Sequence, residues 1–174
     1  MTGKSEQGGG LSGKGAVMGA YFPIFINMEG KQVQVFGGGT IAGRRISVLL
    51  EFGARICVTA PEISEDLKEL AEREANLTLE YRTFRPGELQ EADMVLAATD
   101  DKNVNDMIYR ECRHKGILVN VASDKEKCDF YFPGIAREGE ITVGITAGGV
   151  NHRKAAQVTA DIQKLLKSQE GEDL

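Results

Sequence analysis

The residues Val33-Gln34-Val35-Phe36-Gly37-Gly38-Gly39-Thr40-Ile41-Ala42 join an apolar strand, a glycine turn and the start of a helix. Their small side chains obey G-x-G-x-x-A at Gly37, Gly39 and Ala42, the spacing of a dinucleotide-binding turn. Gly37 permits the tight exit from the strand. Gly39 has no Cβ, so a pyrophosphate can approach the backbone. Ala42 is small enough to seat the helix on the sheet. Phosphates then rest on the positive N-terminal end of that helix. A βα turn without a ligand uses similar glycines; the preceding strand and following amphipathic helix favour the nucleotide.

Other polar residues collect where strands end. Val58-Thr59-Ala60-Pro61-Glu62 ends the second strand without the acid that usually binds the adenosine ribose. Thr59, Glu62 or backbone groups take the hydroxyls instead. No arginine at that tip awaits a 2′-phosphate, which favours NAD over NADP. Ala97-Ala98-Thr99-Asp100-Asp101 ends the fourth strand, beside the expected nicotinamide ribose. Asp100 or Asp101 caps the next helix, leaving one carboxylate for other work. Asn105, one turn on, reads as solvated. Asn120-Val121-Ala122-Ser123-Asp124 ends the fifth strand. Ser123 and Asp124 are either a proton-transfer pair or a turn. His152 follows Gly148-Gly149 and can face the same cleft, while His114 lies on a polar helix surface. Cys128 lies in a loop near Asp124, where binding of a soft metal is the lesser reading, and no metal site is expected.

These positions need a scaffold, and the periodicities supply one. Strands are expected over residues 31–36, 55–59, 78–84, 93–98 and 117–122. Helices are expected over 41–52, with Ala42, Ile46, Leu49 and Leu50 inward; over 62–74; and over 102–115, with Val104, Met107, Ile108 and Cys112 inward. Alternating βα units imply an α/β fold: a Rossmann-type, doubly wound parallel sheet with right-handed crossovers. Segments 130–135 and 140–146 flank Ala136-Arg137-Glu138-Gly139 and read as a β-hairpin added to that sheet. A last helix over 152–166 carries Ala155, Val158, Ile162, Leu165 and Leu166 as a stripe. It serves as a dimerisation arm or packs on its own sheet. The organisation expected is a disordered Gly/Ser/Lys-rich extension (1–18), an NAD-binding domain (19–147), and a C-terminal dimerisation helix with an acidic tail (148–174). Gly8 to Lys14 mimics a P-loop, but no strand precedes it and Gly15 replaces the Ser or Thr.

The 174 residues suit one domain, and 41% hydrophobic residues suffice for a core. A net charge of -5 argues against nucleic acid as a partner. No apolar run is long enough to span a membrane, and the N-terminus lacks a signal-peptide core. Three widely spaced cysteines fit a reducing cytoplasm.

An ordered set of motifs carries a family resemblance: Tyr21-Phe22-Pro23-Ile24-Phe25, the Gly37-Gly38-Gly39 turn, Ala97–Asp101 with Asn105, Asn120-Val121, Phe130-Tyr131-Phe132-Pro133 and Thr146-Ala147-Gly148-Gly149. Over residues 21 to 168 the chain resembles the precorrin-2 dehydrogenase family, also found as the N-terminal module of siroheme synthases. The resemblance implies NAD-dependent oxidation of precorrin-2 to sirohydrochlorin and a homodimer formed after the Gly-Gly. It places NAD contacts at Thr40, Ile41, Pro61 and Glu62. Bifunctional members also insert ferrous iron and carry a catalytic Asp three residues after the asparagine. Here that position is Ser123, with Asp124 one residue late, so iron insertion is expected to be poor. The family's chain also continues into a longer helical region that helps enclose the tetrapyrrole, so a more open cleft or a partner is expected. A polycarboxylate substrate needs cations, and Arg44, Arg45, Arg137, Arg153 and Lys154 are candidates. Arg153 and Lys154, beside the Gly-Gly, are the preferred ones. The alternative is a non-catalytic NAD-sensing module, which usually keeps the acid on strand two.

Overall fold

The computed structural model describes residues 22–89, 91–148 and 150–169. Five parallel strands, β1 (Gln32–Gly38), β2 (Arg55–Ile63), β3 (Leu77–Glu80), β4 (Met94–Ala97) and β5 (Leu118–Val121), lie in the order β3-β2-β1-β4-β5. Helices α1 (Thr40–Glu51) and α2 (Glu65–Arg73) link the first three strands. Helix α3 (Lys102–Lys115) links β4 to β5. The strand order reverses between β1 and β4, the place where such sheets open a crevice.

Alternation along the strands separates two cores. Val33, Val35, Ile56, Val58 and Leu96 meet Ala42, Ile46 and Leu49 of α1 and Leu67 of α2 on one face. Phe36, Val95, Ala97, Val119 and Val121 meet Ile108 and Cys112 of α3 on the other. The connection from β3 to β4 helps close this second face. Phe84 meets Phe36 edge-on at 5.0 Å, Leu89 is fully buried, and the Glu111 carboxylate accepts hydrogen bonds from the N–H groups of Gly87 and Leu89. Burial pushes the Cys112 thiol up to about 12.

Strand β2 runs four residues past the expected end. Gly38 pairs with Ile63 after a bulge, and Ser64 N–H donates to Gly38 O at 2.9 Å, so Pro61 and Glu62 continue the strand and α2 begins only at Glu65. Strand β3 stops at Glu80. Met107 is 43% exposed rather than inward, because Asn105 and Ile108 face the sheet. Helix α3 is bounded as expected, with the Asp101 carboxylate accepting from Asn103 N and Val104 N, and Gly116 in a left-handed C-cap.

The hairpin does not join the main sheet. Strands β6 (Gly134–Glu138) and β7 (Ile141–Ile145) form a separate antiparallel pair, and Phe130 and Phe132 precede it as irregular chain packed on the α1-side core. Helix α4 (His152–Gln169) crosses the hairpin so closely that a Cβ on Gly134 would fall 2.2 Å from Thr159 Oγ1. The Gln163 amide pairs with the β6 backbone, accepting from Arg137 N–H and donating to Arg137 O, both at 2.9 Å. It covers an open edge with a side chain. No described helix is long and apolar enough to cross a membrane. The expected extension 1–18, Tyr21 and Gly149 lie outside the described residues.

Candidate functional site

The glycine turn sits at the reversal point. Gly37 has φ +117°, and a Cβ there would lie 2.2 Å from the carbonyl oxygen of Ala98 at the end of β4. Gly38 is also held close, with a Cβ there falling 2.5 Å from Glu62 O. Gly39 differs: nothing lies within 4 Å of a Cβ built on it. It is the N-cap of α1 and offers no side-chain hydrogen bond, and the first turn of the helix holds no acid. The open space thus lies over bare N–H groups at a positive helix end, where a pyrophosphate fits. Thr40 and Ile41 are exposed at this end, as are Pro61 and Glu62 on the extended part of β2. Thr59 is buried, and its hydroxyl donates to Glu80 at 3.3 Å. This leaves Glu62 and the backbone, of the three alternatives, for ribose hydroxyls. The arrangement fits a dinucleotide held by Gly37–Ile41, Pro61, Glu62 and the end of β4.

At the end of β4, Asp101 takes the capping role and Asp100 stays exposed. Asn105 is buried, not solvated. Its Oδ1 accepts from Thr99 N and Thr99 Oγ1, at 3.2 and 2.8 Å, and its Nδ2 donates to Thr99 O at 2.9 Å. The same amide reaches Ser123 Oγ at 3.5 Å, so Asn105 ties the ends of β4 and β5 together. Ser123 is exposed. The Asp124 carboxylate caps the 3-10 turn Lys125–Lys127, accepting from Glu126 N at 3.2 Å and pairing with Lys127 at 3.2 Å. The turn reading of this pair matches its geometry.

Beyond β5 a cavity of about 320 Å³ opens between the sheet, the hairpin and α4. Asn120 is buried at its base. Arg45 Nη1 donates to Asn120 Oδ1 at 2.8 Å, Asn120 Nδ2 donates to Phe130 O at 2.7 Å, and the guanidinium lies 5.0 Å from the centre of the Phe132 ring. Burial lowers the Arg45 pKa from its ordinary value, against a smaller raising influence from the neighbouring Cys128. His152 also lines the cavity, as do Lys125 and Thr146. Arg153 and Lys154, the preferred cations, are exposed on α4 and are not among the lining residues. Arg137 instead stacks on Phe52 at 5.4 Å. The sequence held a signal for Arg45: it falls three residues after Ala42 and one before Ile46, at the edge of the apolar stripe of α1. Lys125 carried none. No group of side chains able to hold a metal occurs among the described residues.

Comparison with known proteins agrees with this geometry. A siroheme synthase of Nitrosococcus oceani is 36% identical over 146 residues, covering 84% of this chain and 31% of the relative. A probable multifunctional siroheme biosynthesis protein HemA of Ruminiclostridium josui is 37% identical over 150 residues, covering 83% of this chain and 28% of the relative. The chain thus spans about a third of the length of these curated relatives. The solved structure of SirC, a precorrin-2 dehydrogenase, superposes with a TM-score of 0.65 and 28% identity, over 86% of this chain and 71% of SirC. Residues 24–134, which include the glycine turn and every strand of the main sheet, match the family described as putative NAD(P)-binding, and the chain belongs to that family.

Proposed function

We propose that this protein oxidises precorrin-2 to sirohydrochlorin with NAD, the reading favoured by its similarity to SirC and to siroheme synthases. The observation that carries it is the sharing of helix α1 between two sites. Its N-terminus faces the open space over Gly39, and Arg45, five residues beyond Thr40, lines the cavity behind β5. One helix therefore sets the distance between a bound dinucleotide and a bound macrocycle. NAD accepts the hydride, and the chain supplies placement. Thr99 and Asp100 border the cofactor from β4, held by Asn105. Asn120 and His152 border the substrate, and α4 closes over it.

The proposal extends to what the chain does not do. Metal insertion into sirohydrochlorin releases two pyrrole protons, which calls for a base in the cleft. Ser123 is a hydroxyl, and Asp124 is engaged by its own turn and by Lys127. We therefore assign dehydrogenation without efficient iron insertion. The half-exposed stripe of α4 is read as a homodimer contact. The test is anaerobic turnover of precorrin-2 with NAD, followed by the absorbance of sirohydrochlorin. Absence of turnover at saturating NAD overturns the assignment. A large acceleration of siroheme formation from sirohydrochlorin and ferrous iron overturns its second half.

A further inference from the structure

Arg45 stands out against the charge balance of the chain. The sequence holds 26 acidic residues against 21 basic ones. Yet the described residues that line the cavity behind β5 include Arg45, Lys125 and His152 and no Asp or Glu. Arg45 is half-buried, and no described carboxylate pairs with it. Its side-chain hydrogen bond goes to the neutral Asn120 amide, which is itself anchored to Phe130 O. The guanidinium carbon lies over the Phe132 ring, 5.0 Å from its centre. A partly desolvated cation with no described carboxylate beside it is costly, and the cost is recovered when an anion arrives. Guanidinium offers five donors, and Asn120 takes one.

We propose that Arg45 is the carboxylate anchor of the substrate cavity, positioned by Asn120 and Phe132 to receive one carboxylate arm of a polycarboxylate ligand. The proposal rests on the functional reading above. The volume of about 320 Å³ supports an edge-on ligand: it holds one side of a four-ring macrocycle with its arms, against a lining that also includes Lys125 and His152. The fork geometry of arginine suits a bidentate carboxylate, which the point charge of lysine does not reproduce.

The test uses the full chain with Arg45→Gln and Arg45→Lys. In the parent, turnover of precorrin-2 settles the functional reading by itself. In Arg45→Gln, KM for precorrin-2 is expected to rise about tenfold or more, the scale of a lost charge-assisted pair, with the NAD dissociation constant from calorimetry unchanged. Sirohydrochlorin binding, followed by absorbance, weakens by a similar factor, while its fully methyl-esterified form binds parent and variant alike. Arg45→Lys falls between the two. KM and sirohydrochlorin affinity within about twofold of the parent would refute the anchor while leaving the dehydrogenase intact. If Arg45→Gln loses its circular dichroism spectrum, Arg45→Lys decides: an unchanged KM overturns the proposal. If the parent binds sirohydrochlorin without turning over precorrin-2, the functional reading fails, and the anchor stands only if Arg45→Gln abolishes that binding. No binding by the parent overturns both.

Discussion

Val35, Val58, Leu96 and Val119, on four neighbouring strands, are wholly shielded from solvent, whereas in the hairpin and α4 the buried described residue is Ala136 alone. The sheet closes both of its faces from within one chain, using α1 and α2 on one side and α3 with the Phe84–Leu89 connection on the other. The hairpin closes one face, against α4, and α4 is left with Ala155, Val158, Ile162 and Leu166 half-covered and Leu165 57% exposed. The first region is packed on both faces beneath the glycine turn. The second borders the cavity behind β5 and gains cover from whatever packs on it.

Targeted substitutions break or sharpen this contrast. The largest effect is expected from Gly37→Val. It adds a Cβ 2.2 Å from a backbone oxygen at φ +117°, and neither strand can retreat, so a loss of about 4 kcal/mol or more should appear as insoluble or unfolded protein. Leu96→Ala empties a shielded site in the central sheet and should cost about 3 kcal/mol in a urea titration. An equivalent truncation in α4, such as Ile162→Ala, should cost far less, and equal costs would erase the contrast. Gly39→Asp separates cofactor binding from folding. The open space admits the side chain, so circular dichroism should be unchanged while NAD affinity falls by about a hundredfold from like charge and bulk. If the proposed homodimer forms through α4, Ile162→Asp should leave a monomer of 18.9 kDa in light scattering without shifting the unfolding midpoint of the sheet, and a parent that is already monomeric overturns the dimer.

The smallest effect is pH-dependent and belongs to the connection over the second face. Burial raises the Glu111 pKa, but the N–H groups of Gly87 and Leu89 and the Lys115 ammonium outweigh it and hold the carboxyl below its ordinary value. A lowered carboxylate pKa contributes stability that is present above the unfolded value, near 4.3, and disappears as pH falls through the folded one. The stability gap between parent and Glu111→Gln should therefore be visible at pH 7 and shrink at lower pH. A gap that widens below pH 4 contradicts the tether.

The sheet was legible because its signals are local. Val33, Val35 and Phe36 alternate before a glycine turn, and the Asp101 cap and Gly116 stop bracket α3 within the residues that form it. The errors lie where distant backbone decides. Pro61-Glu62 resembles a helix start, yet Gly38, on the far side of α1 in sequence, captures Ile63 and extends β2. Asn105 has the look of a solvated helix residue, and only the return of Thr99 over it buries the amide. Phe130 and Phe132 have strand propensity, but core packing and Arg45 claim them before β6 begins. The proposed cofactor half of the site shares the locality of the sheet, since the glycine turn and the helix start that follow β1 lie in one short stretch. In the proposed substrate half, Asn120 and His152 line the cavity, and of the five candidate cations only Arg45 is among its described lining residues, because the fold brings α1, β5 and α4 together. The choice of Arg153 and Lys154 followed sequence distance to the Gly-Gly, which the helix geometry of α4 does not honour.

Cys112 gives the second face a clock. Its sulfur is fully shielded under α3, and a thiol held near 12 presents almost no thiolate to a reagent at neutral pH. Labelling must wait for α3 to lift from β4 and β5. In the limit where reclosing outruns the reagent, the observed rate divided by that of an unstructured thiol is the fraction of time the helix is open. Because Asp101 and Asn105, at the other end of that helix, fasten the Thr99 loop, the same rate reports how often the cofactor-side strand end comes loose. A dinucleotide that steadies this loop should slow the clock, so a chemical modification far from the glycine turn becomes a measure of its occupancy.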